Sequence, residues 1–351
     1  TMELYLNTYG SSLRKKDDMF EVFVEGKKTK LSPQKISSIV ITNAVQISSD
    51  AIELAMEHNI DVVMLDKYGD PYARVWFPKI GSTVLIRRAQ LEMLSDIRGM
   101  DFIKRWICIK IMRQYQFVSK LISKRDSVDP ELKSKAGAMR QYARSIMSCD
   151  GTLDDKAPSL MGWEGSASKL YFGILSQLIP SAYSFEGRSS RPARDAFNAF
   201  LNYAYGILYS KVERALVIAG LDPYIGLLHS DNYNKKSFVF DFIEPFRILA
   251  DEPVFYLFSR RRVQDDHLQP VFKGVGLSTA GKKFFAPYFL EYLSEITRYH
   301  NKNRKRLDMI QTDAHAFANF MIDRRDTYLD SSVAKSLERF LSSEDFIQEE
   351  D

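Results

Sequence analysis

The spacing of apolar residues changes near residue 80, and this change limits the architectures that the chain can adopt. Before that point, short runs of alternating or β-branched residues are separated by polar turns, which is typical of β-strands. After Gly81, apolar residues recur with the period of amphipathic helices. The sequence therefore predicts an α+β protein, with a small N-terminal β-sandwich-like domain followed by a larger all-α domain.

We assign residues 2–80 to the β-rich domain. One short helix, Ala51–His58, interrupts its strands, because apolar residues recur on a single face there and serines precede it. The remaining segments alternate or are β-branched. Strands are predicted at Glu3–Asn7, Met19–Val24, Lys28–Leu31, Ile36–Ile41 and Asp61–Asp66.

The helical region divides into residues 81–327 and a tail, residues 328–351. The tail is predicted to contain a helix and ends in an acidic stretch, Glu344–Asp351. It is either an added surface for partner contacts or a solvated tail. Helices are predicted at about 83–125, 130–149, 157–178, 195–219, 238–262, 278–299, 309–323 and 332–347.

The first of these helices carries a clear apolar stripe. Its members share one face at helical spacing, and the basic residues of the same stretch are predicted to lie on other faces. The stripe consists of Ile103, Ile107, Ile111 and Tyr115, and the basic residues are Lys104, Arg105, Lys110 and Arg113.

Composition and charge exclude several classes of protein. Hydrophobic residues make up 45% of the chain and charged residues 27%, which is ordinary for a soluble globular protein. The net charge is +4, from 49 Lys and Arg against 45 Asp and Glu, so a histone-like polycation is excluded and a local basic patch is not. No apolar run approaches the roughly 20 residues of a membrane span, and no opening segment resembles a signal peptide.

The two cysteines, Cys108 and Cys149, lie in predicted helices. We interpret them as free, buried side chains of a cytoplasmic protein, because disulfides are rare in a reducing compartment. Two cysteines also exclude a zinc finger or an iron–sulfur cluster built on thiolates alone.

Four side chains from two distant stretches are candidates for one metal site: Glu164, His229, Asp241 and Glu244. Carboxylates with one imidazole suit a hard divalent ion such as Mg²⁺ or Mn²⁺. Asp241 and Glu244 are three apart on a predicted helix, which places both on one face. Arg247 lies on the same side, where it either clamps a phosphate or pairs with Glu244.

Each candidate alone has a simpler interpretation. An Asp-x-x-Glu pair on a helix is more often part of a solvated face, and a histidine after an apolar run is more often packed and hydrogen-bonded. Glu164 lies beside Trp163 in a setting of small and apolar residues, where an unpaired carboxylate would be costly. A salt bridge to Lys169 is the structural alternative, but a spacing of five residues is poor for a helical pair.

Taken together, these motifs resemble the CRISPR-associated adaptation integrases, the Cas1 family. The resemblance covers roughly residues 2 to 325, and the order and spacing of the helical motifs carry its specificity. No motif of the family is found after Thr327. The matching segments are Ile47–Asp66, Leu85–Leu91, Gly162–Lys169, Arg191-Pro192 with Asp195, Asn198–Tyr205, Ala219–His229 and Asp241–Arg247.

The resemblance implies a homodimer built by the β-rich domain and an active site in the helical domain. It matches Glu164, His229 and Glu244 with the three metal ligands, and Asp241 with an acidic residue beside them. The implied reaction is the joining of a DNA 3′-hydroxyl end into a CRISPR repeat by transesterification, the step by which an antiviral spacer is acquired. Attack by water at the same site would give endonuclease activity.

Double-stranded DNA, as prespacer and as repeat, is the implied substrate, and phosphate contacts need cations near the site. Our candidates are Arg188, Arg191, Arg194, Lys235, Lys236 and Arg247. The implied protein partner is the small companion adaptation protein, Cas2.

Two alternatives stay open from the sequence. One is a related integrase of a mobile element, similar to the casposases, which commonly carry an added helix-turn-helix module. The short acidic stretch at the end of this chain does not suit such a module. The other alternative is a non-catalytic DNA-binding scaffold whose acidic cluster is structural.

Overall fold

A computed structural model describes residues 2–58, 60–65, 71–75, 83–93, 97–125, 129–228, 236–323 and 327–343. The chain divides into two compact units, Thr1–Gly81 and Ser82–Asp351. The first unit is rich in strands and the second in helices, which confirms the predicted α+β fold class.

Two sheets build the first unit. In the order in which the described strands pair, one sheet runs β1–β5–β7–β8 and the other β4–β3–β2–β6. β1, β5 and β7 are parallel, and β8 pairs antiparallel with β7. The elements are β1 Met2–Leu6, β2 Ser12–Lys16, β3 Met19–Val24, β4 Lys27–Leu31, β5 Ile36–Ile41, β6 Gln46–Ile47, α1 Ser49–Glu57, β7 Asp61–Leu65 and β8 Pro71–Val75.

The apolar faces of both sheets and of α1 share one core, which explains the alternating pattern of the sequence. Leu13 and Phe20 from one sheet, Ile39 and Val62 from the other, and Leu54 from the helix all lie in it. β2 was not predicted, because its second half is the charged run Arg14–Lys16. Strand residues that face solvent carry little apolar signal.

The second unit is mainly helical, and β-hairpins within it depart from the all-α prediction. β9 pairs with β10, and β11 pairs with β12, both antiparallel. The elements are α2 Thr83–Glu92, α3 Ile97–Ser123, α4 Pro130–Met147, α5 Leu153–Leu178, α6 Ala196–Ala219, α7 Ser237–Phe242, α8 Ile248–Ser259, β9 Leu268–Val271, β10 Gly274–Leu277, α9 Thr279–Ser294, β11 Ile296–Tyr299, β12 Lys302–Lys305, α10 Arg306–Met321 and α11 Ser331–Ser342.

Three predicted helices are divided or shortened. Residues 83–125 form α2 and α3, and residues 238–262 contain α7, a 3₁₀ turn at Glu244–Phe246, and α8. Pro245 is near the start of that turn, where its missing N–H costs no helical hydrogen bond. The prediction that residues 278–299 form one helix is wrong at its end, because α9 stops at Ser294 and β11 follows.

α3 lies at the centre of this unit and is buried on nearly all sides. It contacts α4, α5, α8 and the turn at Glu244–Phe246, and Trp106 packs edge-on against Phe238 and Phe242 of α7. The prediction that Lys104 and Lys110 lie on a face away from the core is wrong, since both are buried. A charged side chain in such a position needs partners of opposite charge or carbonyl oxygens.

The C-terminal helix α11 packs on α3 and α4, so these twelve residues are not a solvated tail. Phe340 and Leu337 are buried, and the Asp330 carboxylate caps the first turn by accepting from Ser332 and Val333. Arg140 of α4 donates to the carbonyl of Ser343, beyond the other end. The predicted acidic stretch 344–351 lies outside the described residues.

Candidate active site

A cavity of about 1040 Å³ opens in the helical unit, and its wall carries several of the predicted site residues. Glu164 comes from α5, Lys110 from α3, and Glu244 and Arg247 from the turn before α8. These three segments are far apart in sequence and meet because α3 packs against both α5 and the turn.

Glu164 and Glu244 converge on one cation. The ammonium group of Lys110 donates to Oε1 of Glu164 and to Oε2 of Glu244. Ser168, one helical turn after Glu164, donates its hydroxyl to the same Oε1 at 2.8 Å. Glu164 therefore pairs with Lys110, and not with Lys169, the partner considered from the sequence.

Arg247 holds the other oxygen of Glu244. Its Nε donates to Oε1 at 2.7 Å, and Nη1 donates to the hydroxyl of Tyr209 at 3.2 Å. The guanidinium group also lies over the ring of Tyr205, 5.0 Å from its centroid. Arg247 thus pairs with Glu244 and is fixed by two tyrosines of α6 while it lines the cavity.

The charges of this cluster stabilise one another. Burial alone would raise the pKa of the Glu244 carboxyl, but Arg247 and Lys110 outweigh burial and lower this pKa to about 2. Burial alone would lower the pKa of the Lys110 ammonium, whereas Glu244 and Glu164 raise it above its ordinary value. At neutral pH Lys110 and Glu244 are therefore charged.

Asp241 binds the backbone of a different segment. Its side chain is buried, and Oδ2 accepts from the backbone N–H groups of Leu227 at 2.6 Å and Leu228 at 3.2 Å. The single helix predicted across Asp241 and Glu244 is interrupted, because α7 ends at Phe242 and a 3₁₀ turn begins at Glu244. Asp241 instead anchors the segment that leads directly to His229.

His229 and Lys235 lie outside the described residues. Within the part of the chain that the structure does describe, no three His, Cys, Asp or Glu side chains come close enough together to hold a metal ion. The described donors nevertheless suit one: Glu164 and Glu244 already converge on a single positive group, and carboxylate oxygens are what Mg²⁺ and Mn²⁺ prefer.

The predicted DNA-contacting cations separate into two groups. Arg188 and Arg194 are exposed and line the cavity. Arg191 is exposed but is not among the described lining residues, and its peptide bond to Pro192 is cis. Lys236 pairs with Glu213 at 2.9 Å, and neither is among the described lining residues.

Asn198 fixes the loop that carries Arg188. From inside α6, its Oδ1 accepts from the N–H of Ser189 and from Arg188, both at 3.0 Å, and its Nδ2 donates to the carbonyl of Gly187 at 2.8 Å. Asn202, one turn later, donates to the carbonyl of Ser190 at 2.7 Å. The loop position is therefore set by the helix beneath it.

Sequence reasoning missed Lys110, the residue that joins the two glutamates. One signal was present: Lys110 is the lone charge within the run Trp106–Met112. A lysine flanked by apolar residues on both sides predicts burial, and a buried lysine requires carboxylates or carbonyl oxygens as partners.

Comparison with known proteins identifies the family. The model of the family "CRISPR associated protein Cas1" matches residues 4–291. The chain belongs to the Cas1 family. It is 32% identical to the CRISPR-associated endonuclease Cas1 1 of Archaeoglobus fulgidus over 337 residues, covering 92% of this chain and 97% of that relative. It is 30% identical to the CRISPR-associated protein Cas1 3 of Methanobrevibacter ruminantium over 271 residues, covering 76% and 81%.

Solved structures share the Cas1 fold with this chain. A Cas1 protein from Thermotoga maritima superposes with a TM-score of 0.76 at 21% identity and covers 92% of this chain and 98% of its own. A casposase bound to integration product superposes with a TM-score of 0.80 at 20% identity, covering 100% and 96%. No described helix is long and apolar enough to cross a membrane.

Proposed function

We propose that this Cas1-family chain is a divalent-metal-dependent DNA endonuclease and integrase that joins DNA 3′-hydroxyl ends into a CRISPR repeat array. The observation that carries the proposal is the convergence of Glu164 and Glu244, from distant segments, at the wall of a cavity that Arg188 and Arg194 also line. Acidic ligands beside basic phosphate contacts are what phosphodiester chemistry requires.

Glu164, Glu244 and His229 are the proposed ligands of Mg²⁺ or Mn²⁺. A bound ion would polarise the scissile phosphate and stabilise the charge that develops on it. Arg247 fixes the rotamer of Glu244 through the 2.7 Å hydrogen bond, and Ser168 does the same for Glu164. The Asp241 carboxylate accepts from the backbone N–H groups of Leu227 and Leu228, and so fixes the two residues that directly precede His229 in the sequence.

In the proposed joining reaction, the oxygen of a DNA 3′-hydroxyl attacks a phosphorus atom of the repeat. A new phosphodiester forms as the existing bond from phosphorus to the leaving 3′ oxygen breaks, and the proton of the attacking hydroxyl is transferred overall to that leaving oxygen. Arg188 and Arg194 would hold phosphates of the two strands while this occurs. Attack by water instead produces a cut strand.

The proposed assembly is a homodimer built by the N-terminal unit, acting with the companion protein Cas2. A Cas6-RT-Cas1–Cas2 complex superposes on this chain with a TM-score of 0.74 at 18% identity, covering 94% of this chain and 36% of the other. Relatives of the chain carry the name endonuclease. The first fact supports Cas2 as a partner, and the second supports nuclease activity. The homodimer is proposed from the family resemblance.

The test is a joining assay with a duplex bearing free 3′-hydroxyl ends and a plasmid carrying a CRISPR repeat. We expect joined product with Mn²⁺ or Mg²⁺, none with EDTA, and none from Glu164→Ala, with the yield measured both with and without Cas2. Glu338→Ala is the matched control, since Glu338 is an exposed glutamate of α11. Equal product from wild type and Glu164→Ala would contradict the catalytic proposal and favour the DNA-binding scaffold.

A further inference from the structure

Lys110 is a buried lysine whose contacts single it out from the other cations of the site. Only 3% of its side chain is exposed, and its ammonium group donates to both Glu164 and Glu244. Taking an ammonium group out of water is costly unless charged partners compensate. Here the compensation comes from the two carboxylates that the proposed function assigns to a divalent ion.

Lys110 contacts one oxygen of each carboxylate. On Glu244, Oε1 accepts from Arg247 and Oε2 accepts from Lys110. On Glu164, Oε1 accepts from Lys110 and from Ser168. Lys110 therefore occupies one oxygen of each glutamate, and a cation that bridges the two carboxylates through these oxygens competes with it.

We propose that Lys110 is a built-in competitor of the divalent ion: its ammonium group holds the two glutamates together and leaves at least one of them when an ion binds. This proposal rests on the proposed function in one respect, that Glu164 and Glu244 bind such an ion. Lys110 is on this account a positioning residue, since it acts through the carboxylates.

The balance of charge explains why Lys110 has to move. Glu164 and Glu244 carry two negative charges, and Lys110 and Arg247 carry two positive ones, so the cluster is neutral. A divalent ion added beside an immobile Lys110 would face a like charge at close range in a partly dry site, which is unfavourable. Movement of the ammonium group relieves this repulsion.

The cavity gives the displaced side chain a destination. Lys110 itself lines the cavity together with Glu164 and Glu244. An ammonium group on a four-carbon stem reorients readily and binds phosphate as a point charge. Lys110 would therefore exchange a carboxylate for a DNA phosphate, which couples ion binding to DNA binding at one side chain.

The competing interpretation is that Lys110 is a fixed structural ion pair. The two interpretations predict opposite effects of removing its charge. If Lys110 competes with the ion, Lys110→Met and Lys110→Gln bind Mn²⁺ more tightly than wild type, although both are less stable in EDTA. If Lys110 is a fixed pair that helps to shape the site, the same variants bind Mn²⁺ equally well or more weakly.

The test is a calorimetric titration of the full chain with Mn²⁺, without DNA. We expect the Kd for Mn²⁺ to fall by at least about tenfold in Lys110→Met and in Lys110→Gln. Lys104→Met is the matched control, because Lys104 is also buried on α3 but donates to the carbonyl of Cys149 at 2.8 Å, and its Kd should equal that of wild type. Glu164→Ala shows which part of the heat belongs to this site.

The outcomes separate the two proposals. Mn²⁺ binding that depends on Glu164 but is equal or weaker in both Lys110 variants overturns the competitor role and leaves the proposed function standing. Absence of Glu164-dependent binding from wild type and all variants overturns both.

A measurement on the wild-type chain covers the case in which neither variant folds. The buried Lys110 ammonium should give a protected ¹⁵Nζ resonance in lysine-labelled protein. Saturating Mg²⁺ should speed the solvent exchange of its protons, and an unchanged exchange rate would overturn the proposal.

Discussion

Arg247 and Glu244, three residues apart, form an ion pair across the 3₁₀ turn, with Nε of the arginine 2.7 Å from Oε1 of the glutamate. Both side chains are largely buried, and the Glu244 carboxyl has a pKa of about 2 against an ordinary value of 4.5. The ionised form of Glu244 is thus preferred in the folded chain, which links the stability of this region to pH.

The first prediction concerns acid. Since the folded-state pKa of Glu244 is depressed, its contribution to stability is complete above pH 4.5 and is lost as the pH falls toward 2. Between pH 5 and pH 3 this group alone should cost wild type about 2 kcal/mol of unfolding free energy. Urea denaturation at each pH measures the free energy of unfolding. Glu244→Gln should lose less of this free energy than wild type between pH 5 and pH 3. Identical losses in the two proteins would show that Glu244 is not the titrating group.

The second prediction concerns Asp241, which holds the segment before His229 through Leu227 and Leu228. If His229 is a metal ligand as proposed, Asp241→Ala should weaken Mn²⁺ binding by about 10- to 100-fold, the usual effect of removing a residue that supports a ligand. Calorimetry measures the affinity for Mn²⁺. The affinity of Asp241→Asn should lie between those of wild type and Asp241→Ala, because asparagine keeps one acceptor oxygen.

Asp222→Ala is the control for this prediction. Asp222 also accepts from a backbone N–H of the same segment, that of Tyr224 at 3.0 Å. Tyr224 is five residues before residue 229 in the sequence, whereas Leu227 and Leu228 directly precede it. Its variant should bind Mn²⁺ as wild type does. If Asp241→Ala and Asp222→Ala weaken binding equally, general loosening of the segment is the cause and the specific role of Asp241 is refuted.

The third prediction separates the candidate DNA contacts. Arg188→Ala and Arg194→Ala should each weaken duplex binding and reduce the slope of log affinity against log salt by about 1, because each removes a proposed phosphate contact from the cavity wall. Lys236→Ala should leave the slope unchanged, since Lys236 pairs with Glu213. Fluorescence anisotropy across a salt series checks all three. A reduced slope only in the Lys236 variant would move the interface away from the cavity.

The fourth prediction concerns α11. Phe340 is 1% exposed and packs against the ring of Tyr115 in α3, 5.2 Å between centroids. Phe340→Ala should lower the unfolding free energy by about 3 kcal/mol, the usual cost of emptying such a site. Lys335→Ala, at an exposed position of the same helix, should change it little. Urea denaturation compares them, and similar midpoints for the two variants would mean that α11 does not contribute to the stability of the core.

Much of the architecture was predictable because local pattern and tertiary burial agree there. β3 and β5 were predicted with the bounds that the structure has, since alternation and branching favour strands that face a core. α6 was predicted to within one residue, because Asp195 caps its start and Gly220 ends it in a left-handed conformation at φ +84°. Such signals lie within the segment itself.

The candidate site was predictable only in part, because its arrangement depends on packing between distant segments. α7 ends between Asp241 and Glu244, whereas the helical pattern of residues 238–262 continues across that break. Lys110 pairs with glutamates from α5 and from the 3₁₀ turn, both of which pack against α3. Periodicity along α3 alone does not reveal these neighbours. Family resemblance supplied the ligand candidates and gave no information about this lysine.

The amide of Asn198 has a consequence for protein engineering. Its oxygen serves Arg188 and Ser189, and its nitrogen serves Gly187 and Asp195, so donor and acceptor are both in use. Aspartate has the same shape but lacks the two donors, and glutamine has the same groups on a longer stem. A library that varies residues 187–194 to alter DNA preference should therefore keep Asn198 constant, since its amide holds residues 187–189 of that loop against α6.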